Sequence, residues 1–472
     1  MGVLEFDSTA DVKIPRDPLL QVIGQDEAVR IAEISIKQKR NMLLVGPPGV
    51  GKSLLAQAVS YHLPKPEHEV RVVHNPKNPE KPFIEIKNVS QIREERKALK
   101  ETEGLIVNPS DVPAFVSEKL GFRCRKCGFL SKSSERACPN CGFPKNAGSQ
   151  SPFNDLNSPV QDSFRVHATR KTLRGEEVVV YEKAGEKIRV FDQETLDKIE
   201  SFKLRLPRKV IIPLKRNNFI TATGASETEL LGDVKHDPYG GHAQIGIQPY
   251  LRVVPGAVHE AHEGVLFIDE ISSISDIQRH LLTAMQEKKY PIIGRNPQSS
   301  GASVRVDNVP CDFILIVASN INDLQFFLPA LRSRISGNGY EVLLKSYFED
   351  NKENEIKTVQ FIAQEIQKDG KIPHASRSGV EEILKESRRM ALSIDKARNS
   401  LTLRLRNLSG IVRLAGDIAI QDESSLIEGK HVRQAIVKSK SVEEQLKSEY
   451  GTLYKASGGD YQSTSEVQKE IF

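Results

Sequence analysis

The apolar and polar positions of the chain follow two periods, and their order predicts an α/β region followed by a helical one. Short apolar runs bounded by polar residues are typical of buried strands, and helical periodicity separates these runs. Predicted strands lie at 42–45, 209–214, 265–268 and 313–318. Predicted helices lie at 22–40, 54–62 and 275–287, and then near 353–367, 378–397, 402–419 and 430–448. Strands that alternate with helices in this way favour a parallel sheet.

A long segment after the first strand and helix breaks this pattern. From residue 65 to about 216, proline, glycine and charged residues become more frequent and apolar periodicity is lost, which indicates an insertion. Within it, VVVY and KIRVF on either side of Ala184 and Gly185 predict a β-hairpin. The predicted organisation is an α/β part at 1–75, an insert at 76–207, a second α/β part at 208–340, a helical lid at 341–450 and a mobile tail at 451–472.

The bulk composition is that of an ordinary globular protein. The 472 residues are 38% apolar and 27% charged, which is enough for about two to four compact units. The net charge of +5 does not by itself indicate a nucleic-acid partner. No apolar run approaches the roughly 20 residues that span a bilayer, and the first residues lack the pattern of a signal peptide. We therefore expect a cytoplasmic protein that is not bound to a membrane.

The first chemical motif is a glycine-rich loop between a predicted strand and a predicted helix. Residues 46–53, GPPGVGKS, match GxxxxGK[ST] in full. In this context the backbone N–H groups of the loop and the helix N-terminus surround nucleotide phosphates. Lys52 is expected to neutralise the β- and γ-phosphates, and Ser53 to hold Mg²⁺. The residues expected to bind ATP are Gly46, Pro47, Pro48, Gly49, Val50, Gly51, Lys52, Ser53 and Leu54.

The second motif is a pair of acidic residues at the end of a strand. Four apolar residues, VLFI, form a predicted buried strand, and Asp269 and Glu270 follow it directly. Ligands of open α/β sheets bind at the carboxyl ends of the strands. Asp269 is expected to complete the Mg²⁺ shell, and Glu270 to orient and polarise the attacking water. Together, the two motifs predict ATP hydrolysis.

Several further stretches make the chain resemble the AAA+ module of the archaeal, B-type Lon proteases. The resemblance covers roughly residues 8–75 and 208–450. It is carried by VIGQDEA at 22–28, KQKR at 37–40, ATGAS at 222–226, LGDVKHDP at 231–238, GVLFIDEI at 264–271, PALRSRI at 329–335, LTLRLR at 401–406 and RLAG at 413–416. It implies a P-loop AAA+ ATPase with a helical lid, assembled as a hexameric ring that uses ATP to thread or remodel a macromolecule.

The resemblance also implies three further site residues. Asn320, after the strand FILIVAS, looks like the sensor residue that contacts the γ-phosphate or the water. Arg334, with Arg332 as the alternative, looks like the arginine finger that reaches the nucleotide of a neighbouring subunit. Arg406, with Arg404 as the alternative, looks like the lid arginine that senses the phosphate. Arginine suits these roles because its rigid fork of donors matches phosphate oxygens.

The chain departs from the resembled family in two places. A B-type Lon continues past its lid into a protease domain with a serine–lysine dyad, whereas this sequence stops 22 residues after Tyr450. We therefore expect no peptide cleavage by this chain itself, and a separate protease partner stays open. B-type Lons also carry a membrane-spanning segment between the two ATP motifs, and no apolar span occurs there in this sequence.

A cysteine-rich segment stands in place of the membrane segment. Two CxxC pairs, separated by ten residues, are formed by Cys124, Cys127, Cys138 and Cys141. Four thiolates in two short knuckles suit a tetrahedral Zn²⁺ site, so we predict a zinc ribbon over 122–145. An iron site with the same ligands and two reducible disulfides are the alternatives. The remaining cysteine, Cys311, lies in an apolar run and is predicted to be buried.

The predicted zinc ribbon is basic, which is relevant to the kind of partner that it binds. Residues 122–145 contain one acidic residue, Glu135, and six basic residues, namely Arg123, Arg125, Lys126, Lys132, Arg136 and Lys145. Such a surface can dock protein or nucleic acid, and the sequence leaves both open. The favoured function is an ATPase that remodels a protein substrate or complex, and the alternative is a nucleic-acid motor that grips through the ribbon. A nucleotide-gated scaffold is a third hypothesis, against which the intact Glu270 argues.

Two further sequence patterns are weaker indications of function. His259 and His262 are three residues apart rather than four as in HExxH, so we predict structural histidines rather than metal ligands. The segment 239–250, with glycines around Ile245 and Ile247, is either a mobile loop that grips substrate or a plain surface loop.

Overall fold

The chain folds into two compact units, which are described separately. The computed structural model describes residues 6–145, 165–172, 175–203, 206–238, 246–295 and 303–439. The core unit combines Met1–Pro66 with Ile211–Phe472, and the inserted unit is Glu67–Val210. Within the core unit, the points where the chain leaves and returns are neighbours, because the Asn218 Nδ2 amide donates to the Pro64 carbonyl oxygen at 3.4 Å.

Short strands and helices alternate along the described residues. The strands are β1 (Asn41–Val45), β2 (His68–Val73), β3 (Phe83–Asn88), β4 (Leu105–Val107), β5 (Arg165–Thr172), β6 (Gly175–Ala184), β7 (Lys187–Phe191), β8 (Arg208–Ile212), β9 (Phe219–Thr221), β10 (Asp233–Val234), β11 (Val253–Val254), β12 (Val265–Asp269), β13 (Lys289–Ile293), β14 (Arg305–Pro310), β15 (Ile314–Ser319), β16 (Gly339–Leu343), β17 (Tyr347–Glu349) and β18 (Ser400–Thr402). The α-helices are α1 (Pro18–Gln21), α2 (Asp26–Gln38), α3 (Lys52–His62), α4 (Val89–Glu101), α5 (Ala114–Lys119), α6 (Gln193–Lys203), α7 (Glu227–Leu231), α8 (Pro249–Arg252), α9 (Ala257–Glu260), α10 (Gln278–Glu287), α11 (Pro329–Asn338), α12 (Lys352–Asp369), α13 (Arg377–Ile394), α14 (Leu405–Gln421) and α15 (Gly429–Lys438).

The core unit is built on a five-stranded parallel sheet. Its strand order is β16-β1-β15-β12-β9, and every neighbouring pair is parallel. Ala318 of β15 lies opposite both Leu44 of β1 and Asp269 of β12. The carboxyl ends of these three strands therefore meet at one edge of the sheet, where the residues that follow them come together.

The sheet is buried on both faces, which explains its continuous apolar strands. Met42 and Leu44 of β1 pack on one face into an apolar cluster that includes residues of α2 and α3. Leu43 and Val45 pack on the other face, into a cluster that includes residues of α10 and α11. Alternate side chains of a strand point to opposite faces, so a strand covered on both sides reads as an apolar run rather than an alternating one.

A helical lid, formed by α12, α13, α14 and α15, follows the sheet. Its helices share one apolar cluster of fully buried residues such as Ile362, Ile383 and Val412. The strands β17 and β18 pair antiparallel beside it. The lid also packs on the start of the chain, because a Cβ at Gly24, where φ is 69°, would come within 2.5 Å of the Leu403 side chain.

The inserted unit contains two small sheets. One has the order β3-β2-β8, and the other has the order β4-β7-β6-β5. An apolar cluster joins Phe122, at the start of the cysteine segment, to Val116 of α5 and to Val166 of β5. On the first sheet the Arg71 guanidinium is held by Glu69 and Glu95 at 2.7 and 2.6 Å, which compensates its burial.

The α/β fold class with a parallel sheet, an inserted cysteine segment and a C-terminal helical lid is confirmed. The hairpin around Gly185 is also confirmed, because Ala184 and Lys187 pair across the turn between β6 and β7. One predicted helix, at 22–40, is wrong in its start. Helix α1 ends at Gln21 and α2 begins only at Asp26, because the positive φ of Gly24 interrupts helical geometry.

Part of the regular structure was not predicted. The insert forms β2, β3 and α4 where no periodicity was evident, and β13 pairs antiparallel with β14 between the acidic motif and the next core strand. The predicted tail, the end of the last lid helix beyond residue 439 and the glycine-rich part of 239–250 lie outside the described residues. Among the residues that the structure does describe, no helix is both long enough and apolar enough to cross a membrane.

Candidate functional site

The glycine-rich loop connects β1 to α3 in a conformation that requires glycine. Gly49 and Gly51 have φ angles of 82° and 94°, a region that other residues rarely adopt. A Cβ at Gly49 would lie 2.7 Å from the Cβ of Arg406, whereas a Cβ at Gly51 would point into open space. Because α3 begins at Lys52, the free N–H groups of its first turn face the space beside Gly51.

Lys52 lies beneath this loop with its amine fully occupied. Its Nζ donates to the carbonyl oxygens of Gly46 and Pro47 at 2.6 and 3.1 Å, and to Asn320 Oδ1 at 3.1 Å. Burial lowers the pKa of Lys52, and the nearby Asp269 carboxylate opposes this shift. A phosphate that enters the loop can replace the carbonyl oxygens as the acceptor, so the cation is already in place for an anion.

The acidic motif stands at the end of β12, two strands from the loop. The Asp269 N–H donates to Thr223 Oγ1 at 3.1 Å, and the Glu270 N–H lies 3.1 Å from Asp269 Oδ1. Glu270 has a φ of 57°, which is uncommon for a residue other than glycine. Such outliers cluster at functional sites. The Glu270 side chain is exposed to the space in front of the sheet edge.

Asn320 links the two motifs. It follows β15, the strand between β1 and β12, so the sheet order itself places it between Lys52 and the acidic pair. Its Oδ1 accepts from Lys52, and its Nδ2 donates to Asp323 Oδ2 at 3.1 Å. The second bond fixes the direction of the amide, because only the nitrogen of an asparagine amide donates.

These residues share one cleft between the sheet edge and the lid, with a volume of about 780 Å³. Its lining from the predicted site is Pro48, Gly49, Gly51, Lys52, Ser53, Leu54, Asp269, Glu270, Asn320 and Arg406. Gly46, Pro47 and Val50 are not among the lining residues. Val50 is buried in the apolar cluster below the loop, and the first two face the site through the carbonyl oxygens that hold Lys52.

The two candidate lid arginines differ in their surroundings. Arg404 forms hydrogen bonds of 2.8 and 3.2 Å to the Asp395 carboxylate, which hold its guanidinium within the lid. Arg406 lines the cleft, and its backbone N–H donates to the Gly49 carbonyl oxygen at 3.3 Å. Of the pair, only Arg406 has its side chain in a position to meet a phosphate.

The two candidate finger arginines lie on α11, away from this cleft. Arg332 makes two hydrogen bonds to Glu341, at 2.9 and 3.0 Å, which raise its pKa. Arg334 lines a separate pocket of about 350 Å³ with Leu282 and Gln286 of α10. It has no hydrogen bond or ion pair to any described residue, and it is absent from the lining of its own chain's nucleotide cleft.

The four paired cysteines form one cluster in the inserted unit. All four Sγ atoms lie within 4.8 Å of one another, and Cys124 to Cys141 and Cys127 to Cys138 are 3.6 and 3.5 Å apart. Tetrahedral Zn²⁺ with bonds of about 2.3 Å places its sulfurs roughly 3.8 Å apart, so the cluster fits the ion. A disulfide needs about 2.0 Å.

Both knuckles have the same backbone. Cys124 N–H donates to Phe129 O and Cys138 N–H to Phe143 O, at 2.9 and 2.8 Å, around glycines with φ of 73° and 67°. The Phe129 N–H and hydrogen bonds with Cys141, Cys138 and Asn140 lower the pKa of Cys127 to about 6. The Phe143 N–H acts in the same direction on Cys141, but burial and the neighbouring thiols raise the pKa of Cys141 to about 12. This backbone favours thiolates, which are the form that binds a metal.

We expect the purified chain to contain about one Zn²⁺. Cys127→Ser should lose the metal and disorder the ribbon before the nucleotide cleft, because structural zinc contributes folding energy locally. Cys311→Ser is the matched control and should keep the full zinc content. Metal analysis of protein prepared without chelators measures this, and a reading of iron, or of no metal, would contradict the assignment.

Other candidate residues have structural roles. His259 is fully buried, its Nδ1 accepts from the Gly256 N–H, and its Nε2 lies 3.0 Å from the Tyr290 carbonyl oxygen. Burial lowers its pKa to about 4, so the ring is neutral and both nitrogens are used. Cys311 is buried as predicted. Lys145, counted with the basic ribbon, is instead buried and donates to the Lys132 carbonyl oxygen at 3.0 Å.

The lid side of the cleft was missed by the sequence reading. Polar residues of α12 and α14 line it at helical spacing, namely Gln364, Glu365, Gln367, Lys368, Ser409 and Arg413. Glu365 accepts from the Ser409 hydroxyl and from Arg413, the latter at 3.0 Å. The only signal in the sequence was a polar stripe beside the apolar face of each helix, which is indistinguishable from a solvated surface.

Comparison with known families identifies three parts of the chain. The description "Magnesium chelatase, subunit ChlI" matches residues 18–79, which contain the glycine-rich loop. "Sigma-54 interaction domain" matches residues 251–312, which contain the acidic motif. "Archaeal LonB, AAA+ ATPase LID domain" matches residues 374–441, the second part of the lid.

Relatives that match nearly the whole chain agree with the match to the archaeal LonB lid domain. A lon protease homolog of Thermoplasma volcanium is 53% identical over 95% of this chain and 92% of its own length. A lon protease homolog of Methanothermobacter thermautotrophicus is 51% identical over 98% and 95%. The archaeal Lon protease of Archaeoglobus fulgidus is 39% identical over 95% of this chain, which spans 65% of that protein. The chain therefore belongs to the family of Lon protease homologs and carries the AAA+ ATPase fold of archaeal Lon.

Proposed function

We propose that the chain is a Mg²⁺-dependent ATPase that couples hydrolysis to the unfolding or remodelling of a protein substrate or complex. The observation that carries the proposal is the single cleft in which Lys52, Asp269, Glu270, Asn320 and Arg406 meet. Each of these has the chemistry that phosphoryl transfer to water requires, and they come from separate parts of the sequence.

Each residue has a distinct task in the cleft. The N–H groups around Gly51 and the Lys52 amine bind the phosphates, and Arg406 contacts them from the lid. Ser53 and Asp269 are the candidate ligands of Mg²⁺, which, when bound, neutralises charge on the phosphate oxygens. The Glu270 carboxylate accepts a hydrogen bond from the attacking water and so points its oxygen at the phosphorus.

The lid gives a route from the nucleotide to a substrate. Arg406 belongs to α14, and its backbone contact with Gly49 joins that helix to the phosphate loop. A change in the charge of the nucleotide therefore acts directly on the lid, whose helices share one apolar core. In a ring of such subunits, lid movements change the contacts between neighbours, and this converts hydrolysis into mechanical work. A hexameric ring in the cytoplasm, as in the resembled family, is part of the proposal.

We expect Mg²⁺-dependent ATP hydrolysis that an unfolded protein such as casein stimulates. Lys52→Ala should lose ATP binding and hydrolysis, because the cation at the phosphate site is gone. Lys37→Ala, which changes an exposed lysine of α2, is the control and should leave ATP binding and hydrolysis unchanged. Phosphate release measures the rate, and hydrolysis that persists in Lys52→Ala would contradict the assigned site.

A nucleic-acid substrate is the second candidate, and the surface of the cysteine ribbon favours it. Phe129 and Phe143 follow the two knuckles and are 45% and 36% exposed. The same segment carries four exposed cations, namely Arg125, Lys126, Lys132 and Arg136. Aromatic rings among cations are typical of single-strand binding. The same ATPase assay separates the candidates, because stimulation by single-stranded DNA or RNA, and not by unfolded protein, would replace the first with the second.

A further inference from the structure

We infer that Gln364 selects adenine over guanine in the nucleotide cleft. The inference rests on the proposed function, since it takes the cleft to hold a nucleoside triphosphate. Gln364 lies on α12, and its side chain lines the cleft together with Phe361 of the same helix face. No residue of the phosphate loop or of the acidic motif addresses the base, so the selectivity has to come from another part of the cleft wall.

The Gln364 side chain is half-buried in the cleft wall and carries an unsatisfied amide nitrogen. Its Nε2 is fully buried and has no hydrogen-bond partner, and neither atom of the amide bonds to any of the described residues. Buried polar atoms of native proteins are almost always paired, so an exception points to a missing partner. The neighbouring Gln21 also lines the cleft, but its Nε2 donates to the Pro15 carbonyl oxygen at 2.8 Å.

The position of Gln364 matches the base rather than the phosphates. The phosphate groups are confined to the end of the cleft that holds Lys52 and the acidic pair. Another part of the cleft wall is formed by α12 of the lid and by the start of the chain, which are joined where Gln360 Nε2 donates to the Leu20 carbonyl oxygen at 3.0 Å. Gln364 lies one helical turn beyond that contact. Apolar side chains of Ile14, Phe361 and Leu405 also line the cleft and offer packing surface for a flat ring.

The chemistry of an amide distinguishes the two purines. Glutamine presents one acceptor oxygen and one donor nitrogen side by side. Adenine presents its 6-amino donor beside the N7 acceptor, so both bonds can form at once. Guanine presents the O6 acceptor beside N7, so the amide oxygen faces another oxygen and one bond is replaced by repulsion. With its amide turned into the cleft, Gln364 therefore accepts from the 6-amino group and donates to N7.

Nucleotide affinity, measured with the full chain and fluorescent ATP and GTP, tests the assignment. We expect the unaltered protein to bind ATP roughly tenfold to a hundredfold more tightly than GTP, as one bidentate base contact provides. Gln364→Leu should weaken ATP binding to near parity with GTP, while GTP binding, which also reports that the variant is folded, should persist. Gln421→Leu is the control, because this glutamine is exposed at the end of α14 and does not line the cleft, and it should keep the original ratio.

A second variant separates base recognition from simple packing. Gln364→Glu still accepts from the 6-amino group and still repels O6, so it should retain a preference for ATP that Gln364→Leu lacks. Equal affinity of the unaltered protein for ATP and GTP, or an unchanged ratio in Gln364→Leu, would overturn the role of Gln364 and leave the phosphate site untouched. Failure of the unaltered protein to bind either nucleotide would overturn both this inference and the proposed function.

Discussion

Glu270→Gln should bind ATP as the unaltered chain does and hydrolyse it roughly 10²–10⁴-fold more slowly. The expected loss is that of a residue that orients and polarises the attacking water, because an amide presents a much weaker acceptor than a carboxylate. Binding should survive, since the Lys52 amine and the loop N–H groups are unchanged. Nucleotide affinity and single-turnover hydrolysis measured on the same sample check both halves of this expectation.

The exposed Glu287, at the end of α10, offers a matched control for this change. Glu287→Gln should hydrolyse ATP at the original rate. A parent-like rate in Glu270→Gln would show that another group positions the water. In the expected case the variant retains ATP and serves as a trap, so that material bound to it in cells can be identified.

Arg334→Ala should bind ATP normally and lose about 10³–10⁵ in hydrolysis rate, the effect of an arginine supplied from outside the site. Arg334 has no partner among the described residues and lines a pocket other than the nucleotide cleft. A neighbouring subunit that docks there would bring its own phosphate to this guanidinium. Hydrolysis should therefore rise more steeply than linearly with protein concentration until assembly is complete.

Mixing experiments decide whether Arg334 acts between subunits. Inactive Lys52→Ala and inactive Arg334→Ala chains should recover part of the activity together, because some interfaces then pair an intact loop with an intact arginine. Arg332→Ala is the control, and it should remain active because Arg332 is already bound to Glu341. Co-assembled mixtures that stay inactive, or a dilute monomer that hydrolyses at the full rate, would refute action between subunits.

The elements that the sequence predicted well are those whose pattern is local. The apolar runs of β1, β12 and β15 are buried on both faces, and the conformation of the glycine-rich loop requires its glycines. Because those strands are parallel neighbours, the residues just after them had to meet. The cysteine cluster was equally readable, since its two knuckles are short and each is complete within a few residues.

What could not be predicted depends on distant partners. The sequences of β13 and β14 lack a clear alternation of apolar and polar residues, so their pairing could not be predicted. A register shift between Tyr290 and Ile292 interrupts the two-residue period further. The choice of Arg406 over Arg404 depends on Asp395, which binds the latter. Likewise, Gln364 became visible as a candidate only once the fold left its buried amide without a partner.

The hydrogen bond between Asn218 and Pro64 holds the two ends of the insertion close together in the core unit. This position is therefore suited to the insertion of other domains. A segment whose two ends emerge side by side adds one closed loop to the fold, and the entropy of closing that loop grows only slowly with its length. The core sheet therefore tolerates a long insertion almost as readily as a short one. An evolving chain could exchange the whole cysteine-bearing unit for another while keeping the core sheet, and an engineer could graft a binding domain of choice between the same two residues.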